Sequence, residues 1–258
     1  MREDGIDGLL PRYYFGLYHW RERGRRILLG LAAVAIGIGC VRRSGKRSLW
    51  VRLAASIGAV GASAWGVGRI YTSLRAISTP PPWRLERAKY EALAAELPLS
   101  SADRFLDVGC GTGRSLVGLA PAVAEGCEVI ACDVFDSRII LGNAPRLAVR
   151  NATRAGLDAA AVRGDASRLP IAGHTADVVT LCRLLHDLPQ SEARGALEEA
   201  RRVCDPDGRV GVLALPYPHE SGVDATEYWK EMVEEAGFDV ETLIERDDGY
   251  TIVVGRPS

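Results

Sequence analysis

Phe105-Leu106-Asp107-Val108-Gly109-Cys110-Gly111-Thr112-Gly113-Arg114 decides how this chain is read. Its apolar start, closed by Asp107, reads as a buried strand. Glycine then recurs at every second position, and Ser115-Leu116-Val117-Gly118-Leu119-Ala120 continues as a helical turn. A strand that passes through a glycine-rich turn into a helix start is a ligand-cradling arrangement: glycines admit close backbone approach, and the helix start presents N–H groups. Spacing narrows the ligand. A dinucleotide fingerprint, G-x-G-x-x-G, needs its third glycine at position 114, which is Arg114.

Outward from this stretch, apolar runs alternate with amphipathic ones. Strands are read at 104–108, 128–132, 160–163, 177–182, 209–215, 240–245 and 250–255, with helical stretches between most of them and a periodic helix before the first, over 84–97. That alternation implies an α/β domain with a mainly parallel sheet covered on both faces. The short turn Arg246-Asp247-Asp248-Gly249 makes the last two strands an antiparallel hairpin. The second strand ends in Asp133, 20 residues after Gly113, where a carboxylate accepts both hydrogen bonds of a ribose diol. Asp136, ahead of Ser137-Arg138-Ile139-Ile140, reads as a helix N-cap, and Asp187 as a cap for a helix starting near Gln190.

The pattern Asp107-x-Gly109-x-Gly111-x-Gly113 resembles the first motif of the class I S-adenosylmethionine (SAM)-dependent methyltransferases. The resemblance covers most of 85–255 and implies a Rossmann-like, seven-stranded sheet with a terminal antiparallel strand. It implies SAM as cofactor and a methyltransferase activity. It also implies that Asp107, Gly109, Cys110, Gly111 and Gly113 wrap the methionine and ribose portions, with Asp133 and its neighbour Val134 at the ribose. In Arg163-Gly164-Asp165-Ala166, Asp165 is matched to the adenine amino group and the Ala166 N–H to the ring. Many small-molecule members carry Leu-His-His-Leu-Pro after an Asn at the fourth strand end. Here Cys182 stands at the Asn position, and the run is Leu185-His186-Asp187-Leu188-Pro189. If the acceptor is a hydroxyl, His186 or His219 is the candidate base; an already activated carbon or thiolate needs none. His186 also reads as a substrate-orienting or a structural residue.

Six cysteines form no C-x-x-C pair, and neither they nor the four histidines show metal-ligand spacing, so they read as reduced and packed, with no metal. Charge is uneven: residues 1–83 hold 13 Lys/Arg against 4 Asp/Glu, a net +9, whereas the remainder is −10. A basic head points to an anionic membrane surface or nucleic acid, and the acidic body argues against a nucleic-acid groove on that body.

Within that head, Tyr13, Tyr14, Phe15, Tyr18 and Trp20 precede Arg21, Arg23, Arg25 and Arg26, a composition suited to a headgroup layer. Two uncharged apolar runs follow, 27–41 and 53–68, read as helices over about 27–41 and 49–71 around a basic turn at 42–47. Ala54, Gly58, Ala62 and Gly66 recur every fourth residue, with Ala33 and Gly37 in the first run, as small-residue ridges for close helix contact. The expected organisation is a membrane-associated helical hairpin over 1–79, a Pro-rich linker at 80–83 and a methyltransferase domain at 84–258 on the cytoplasmic side. Whether the hairpin crosses fully or lies shallow is open, because the turn is as basic as its flanks. The expected acceptor is a lipid, quinone or other apolar small molecule; the competing function is a SAM-binding scaffold or sensor without turnover.

Overall fold

Along the strands, successive apolar side chains feed two separate cores: Phe105 and Val129 pack on one side of the sheet, Leu106, Val108, Ile130 and Cys132 on the other. Burial on both faces is what a parallel strand requires when helices cover each side. The computed structural model describes residues 13–78 and 83–258, with no side-chain description for 75–78 and 83–86. The expected linker therefore lies outside the described residues, apart from Trp83, which opens a helix.

The described residues form two compact units, one of 17–78 with 138–141, the other of 13–16, 83–137 and 142–258. The smaller unit begins with β1 (Leu17–Tyr18), α1 (Trp20–Ser44) and α2 (Leu49–Ser78). Both helices run beyond the apolar runs read from sequence. At about 1.5 Å per residue, the 25 residues of α1 span roughly 37 Å, more than a hydrocarbon core of about 30 Å. They touch through small residues. A Cβ on Gly66 would lie 2.5 Å from the Gly30 carbonyl oxygen, and one on Gly30 would lie 2.6 Å from that of Gly66. A Cβ on Gly37 would meet the Ala59 backbone and the Ser63 side chain. The contact stripe on α2 is thus Ala59, Ser63, Gly66 and Ile70. Of the expected ridge, Gly66 lies in it, whereas Ala54 and Gly58 face outward and Gly58 has nothing within 4 Å of its would-be Cβ. Leu28, Leu31, Ile36, Trp50, Ile57 and Val60 are exposed around the pair.

The larger unit is a Rossmann-like mixed sheet. After α3 (Trp83–Ala95) come β2 (Arg104–Val108), α4 (Arg114–Leu119) and β3 (Glu128–Asp133). Next, β4 (Ile140–Leu141) pairs antiparallel with β1 inside the smaller unit. Then follow α5 (Pro145–Arg154), β5 (Ala159–Arg163), β6 (Ala176–Cys182), α6 (Gln190–Val203), β7 (Cys204–Ala214), α7 (Ala225–Glu235), β8 (Phe238–Glu245) and β9 (Thr251–Pro257). The seven-stranded order is β5-β3-β2-β6-β7-β9-β8; β9 runs antiparallel and inserts between β7 and β8. The expected terminal antiparallel strand is present, but it lies inside the sheet and leaves β8 at the edge.

Helices α3, α4 and α5 supply one core, with Tyr90, Leu93, Leu116 and Ala148; α6 and α7 supply the other, with Leu197 and Trp229. Gly118 makes room for Tyr90, whose Cβ and nearest ring carbons lie 2.4–2.7 Å from where a Cβ would stand. No helix starts after Asp136: the chain turns into β4, and α5 begins only at Pro145 behind Ala144, with no side-chain cap. Likewise α6 is preceded by Pro189 without a side-chain cap, and Asp187 lies in a 3-10 turn, Leu185–Asp187.

Candidate functional site at the carboxyl edge of the sheet

Parallel strands β2, β3, β5 and β6 deliver their following loops to one sheet edge, where ligands of open α/β sheets bind. The glycine loop after β2 is closed on itself. The N–H groups of Gly109 and Cys110 both donate to the Cys132 carbonyl at 2.8 and 3.1 Å, Gly113 N–H to the Cys110 carbonyl at 2.8 Å, and Gly111 N–H to Asp133 Oδ2 at 2.9 Å. These donors are therefore not offered to an anion, in contrast to a pyrophosphate cradle. Gly109 and Gly113 adopt φ of +71° and +81°; a Cβ on Gly109 would strike Leu184, and one on Gly113 would lie 2.9 Å from the Ala148 carbonyl oxygen. Only glycine permits that approach and that backbone.

Asp107 takes a different place from the one expected. It is fully buried; Ser115 Oγ donates to its Oδ2 and Thr180 Oγ1 to its Oδ1 at 2.7 Å. Burial pushes its pKa up to about 7 against the pull of those two hydroxyls. It braces the loop against α4 and β6 and is fully enclosed by the fold.

Asp133, half-buried, is the hub. Besides Gly111 it accepts at Oδ1 from Phe135 N–H at 2.5 Å and from Asn143 Nδ2 at 3.1 Å. Val134 beside it is exposed, and its carbonyl accepts from Arg163. Asp165 is exposed and closes its own turn, its Oδ1 accepting from the Ser167 N–H and hydroxyl at 2.9 and 2.8 Å. Ala166 is half-buried in that turn. Glu199 accepts from Leu169 N–H, and Arg202 donates to the Leu169 and Ile171 carbonyls, so α6 fixes the far side of this loop. Burial first, then the charges of Asp133, Asp107 and Asp165, push the Cys132 thiol up to about 12. Cys110 and Cys182 are buried beside them, and burial holds both thiols well above their usual range.

The two histidines separate. Both ring nitrogens of His219 are engaged: Nε2 donates to the Leu185 and Leu188 carbonyls at 3.1 and 2.9 Å, and Nδ1 pairs with the Tyr228 hydroxyl at 2.8 Å. His219 pins the 3-10 turn, which corrects its candidacy as a base. His186 lies in that turn, two residues from the Leu184 side chain that rests on Gly109. Its Nδ1 is buried without a partner, its Nε2 is 3.4 Å from Asp187, and its ring centroid is 6.4 Å from that of the exposed Tyr217. Burial lowers its pKa, partly offset by Asp187 and reinforced by Arg183 and His219. It is a neutral imidazole with an open acceptor.

Three participants were not read from the sequence. Asn151, fully buried on α5, donates through Nδ2 to the Tyr14 and Thr112 carbonyls, both at 2.8 Å, and its Oδ1 faces Tyr14 N–H at 3.5 Å. Thr112 Oγ1 in turn donates to the Phe15 carbonyl at 3.2 Å, and the Arg114 guanidinium sits 4.8 Å from the Phe15 ring centre. Residues 13–16 are thereby strapped to the glycine loop. Asn143 is the third. An asparagine on the apolar face of α5, in step with Leu147, Ala148 and Ala152, was the available signal for Asn151.

Residues 105–208 match a family profile described as a methyltransferase domain. The chain is 35% identical over 136 residues to a demethylmenaquinone methyltransferase of Beutenbergia cavernae, covering 53% of this chain and 48% of that protein. It is 29% identical over 163 residues to the 27-O-demethylrifamycin SV methyltransferase of Amycolatopsis mediterranei, covering 61% and 54%. The chain thus spans about half the length of these curated relatives. The fold is shared with a SAM-dependent methyltransferase from Aquifex aeolicus, at a TM-score of 0.55 and 24% identity over 72% of this chain and 98% of that one. Sheet order, glycine loop and profile agree in likening residues 105–208 to a methyltransferase domain.

Proposed function

We propose that the chain is a membrane-associated SAM-dependent methyltransferase acting on a small apolar acceptor, with a quinone-like lipid as the favoured class. The observation that carries the reading is the bond from Gly111 N–H to Asp133, which joins the glycine loop to the second-strand carboxylate at the sheet edge, beside Asp165. The residues fit the cofactor: Cys110, Gly111 and Gly113 form a glycine-tight rim, Asp133 and Val134 flank the ribose position, Asp165 and the Ala166 N–H address the adenine, and Cys182 lines the floor. SAM supplies an electrophilic methyl group when bound, and the chain positions the acceptor and excludes water. His186 takes the proton of a hydroxyl acceptor at its open Nδ1. Two long helices with exposed apolar residues support the membrane-associated part of the reading, since a bilayer concentrates a lipidic acceptor. The printed names of the relatives, demethylmenaquinone methyltransferases among them, favour the same acceptor class.

Incubating the full-length protein with deuteromethyl-labelled SAM and a membrane lipid extract, followed by mass spectrometry, tests the proposal. A lipid-soluble product heavier by one labelled methyl group supports it. Tight SAM binding with no S-adenosylhomocysteine formed would instead favour the scaffold reading.

A further inference from the structure

Asn143 carries a buried acceptor that the protein leaves unused. The residue is 7% exposed, and its Nδ2 donates to Asp133 Oδ1 at 3.1 Å, while its Oδ1 has no hydrogen-bond partner. Flipping the amide does not cure this, because it would turn the carbonyl oxygen against the Asp133 carboxylate. An orphaned buried carbonyl is destabilising, and native folds keep few of them without a reason.

Counting lone pairs at Asp133 supplies the reason. An ionised carboxylate has about four acceptor sites. Phe135 N–H and Asn143 Nδ2 take the two on Oδ1, and Gly111 N–H takes one on Oδ2. One site remains. A vicinal diol brings two O–H donors, so Asp133 by itself satisfies half of it. The Asn143 carbonyl, on the amide already held against Asp133, is a second acceptor for the other hydroxyl.

We propose that Asn143 is a cofactor-binding residue: Asp133 Oδ2 and Asn143 Oδ1 together accept the two ribose hydroxyls of SAM, one each. This rests on the SAM reading given above and adds a residue to it.

The test is a cycle between residue and hydroxyl. S-Adenosylhomocysteine and its 2′-deoxy and 3′-deoxy analogues are titrated calorimetrically into full-length wild type, Asn143→Ala and Asn143→Ser; serine keeps a hydroxyl beside Asp133 while withdrawing the carbonyl. In wild type each deoxy analogue binds at least about tenfold more weakly than the parent, the scale of a lost hydrogen bond to a buried polar group. In either variant the parent weakens similarly, and one of the two deoxy analogues then shows no further loss. Equal penalties for both analogues in variant and wild type would overturn the role of Asn143 while leaving the SAM reading intact. Absence of S-adenosylhomocysteine binding to wild type would overturn both.

Discussion

Asp107 shows how far a single residue can be read from sequence. Its type and place at the end of β2 were legible, and its membership of the motif was correct. That its carboxylate turns away from the ligand side, to Ser115 and Thr180, was not, because Thr180 arrives from a strand 73 residues away. Its raised pKa has a signed consequence. The folded pKa, about 7, exceeds the ordinary aspartate value of 3.8, so the native state holds the proton between those values. This group's contribution to stability is therefore full below pH 3.8, falls as pH rises towards 7, and is flat above. A shift of this size is worth on the order of 4 kcal/mol. Asp107→Asn should remove that slope, so denaturant midpoints of variant and wild type, measured from pH 4.5 to 8, should diverge in the variant's favour as pH rises; parallel curves would contradict it.

His186 and His219 were equivalent in the sequence. Packing separates them, since the Leu185 and Leu188 carbonyls that occupy His219 come from more than thirty residues away and the Tyr228 hydroxyl from the helix that follows. With burial holding the His186 pKa below its ordinary value, its neutral form persists through neutral pH and is lost only as pH falls through that lowered value. His186→Ala is expected to lower methyl transfer to a hydroxyl acceptor by about 100-fold or more and to abolish the acid limb of the rate–pH profile. An unchanged profile in a single-turnover assay would remove His186 from proton transfer.

At the scale of elements, strand positions were legible to within a few residues because buried parallel strands are short apolar runs bounded by glycine and acid. What no local pattern carries is order: the insertion of β9 between β7 and β8 depends on pairing partners. Helix ends in the hairpin were missed for a related reason. Arg21–Arg26 and Arg42–Arg43 continue α1 with helical backbone, whereas the hydropathy of those residues marks only where the apolar stretch stops. The small-residue ridge was right in kind and partly wrong in phase, because several small residues recur on more than one face. A matched pair checks the phase: Gly66→Ile forces a branched side chain onto the Gly30 carbonyl, whereas Gly58→Ile meets open space. The first should destabilise the helix pair by about 1–3 kcal/mol or more, seen as a lower thermal midpoint in detergent micelles. The second should leave it within about 0.5 kcal/mol of wild type.

For the whole molecule, a basic apolar head on an acidic α/β body was visible in charge and hydropathy alone. The exposed apolar residues of α1 and α2 give that head a physical need for a nonpolar surrounding. After cell lysis and high-speed centrifugation the full chain should sediment with membranes and be released by detergent but not by high salt; its presence in the detergent-free supernatant would contradict membrane association. Residues 105–208, in contrast, answer to the cofactor. Calorimetric titration of SAM into the purified full-length protein, beside Asp133→Ala and with NADH as control, bears on that directly. Saturable one-site SAM binding, weakened about tenfold or more in the variant and matched by no NADH binding, is the predicted result. No SAM binding, or binding that ignores Asp133, would contradict it.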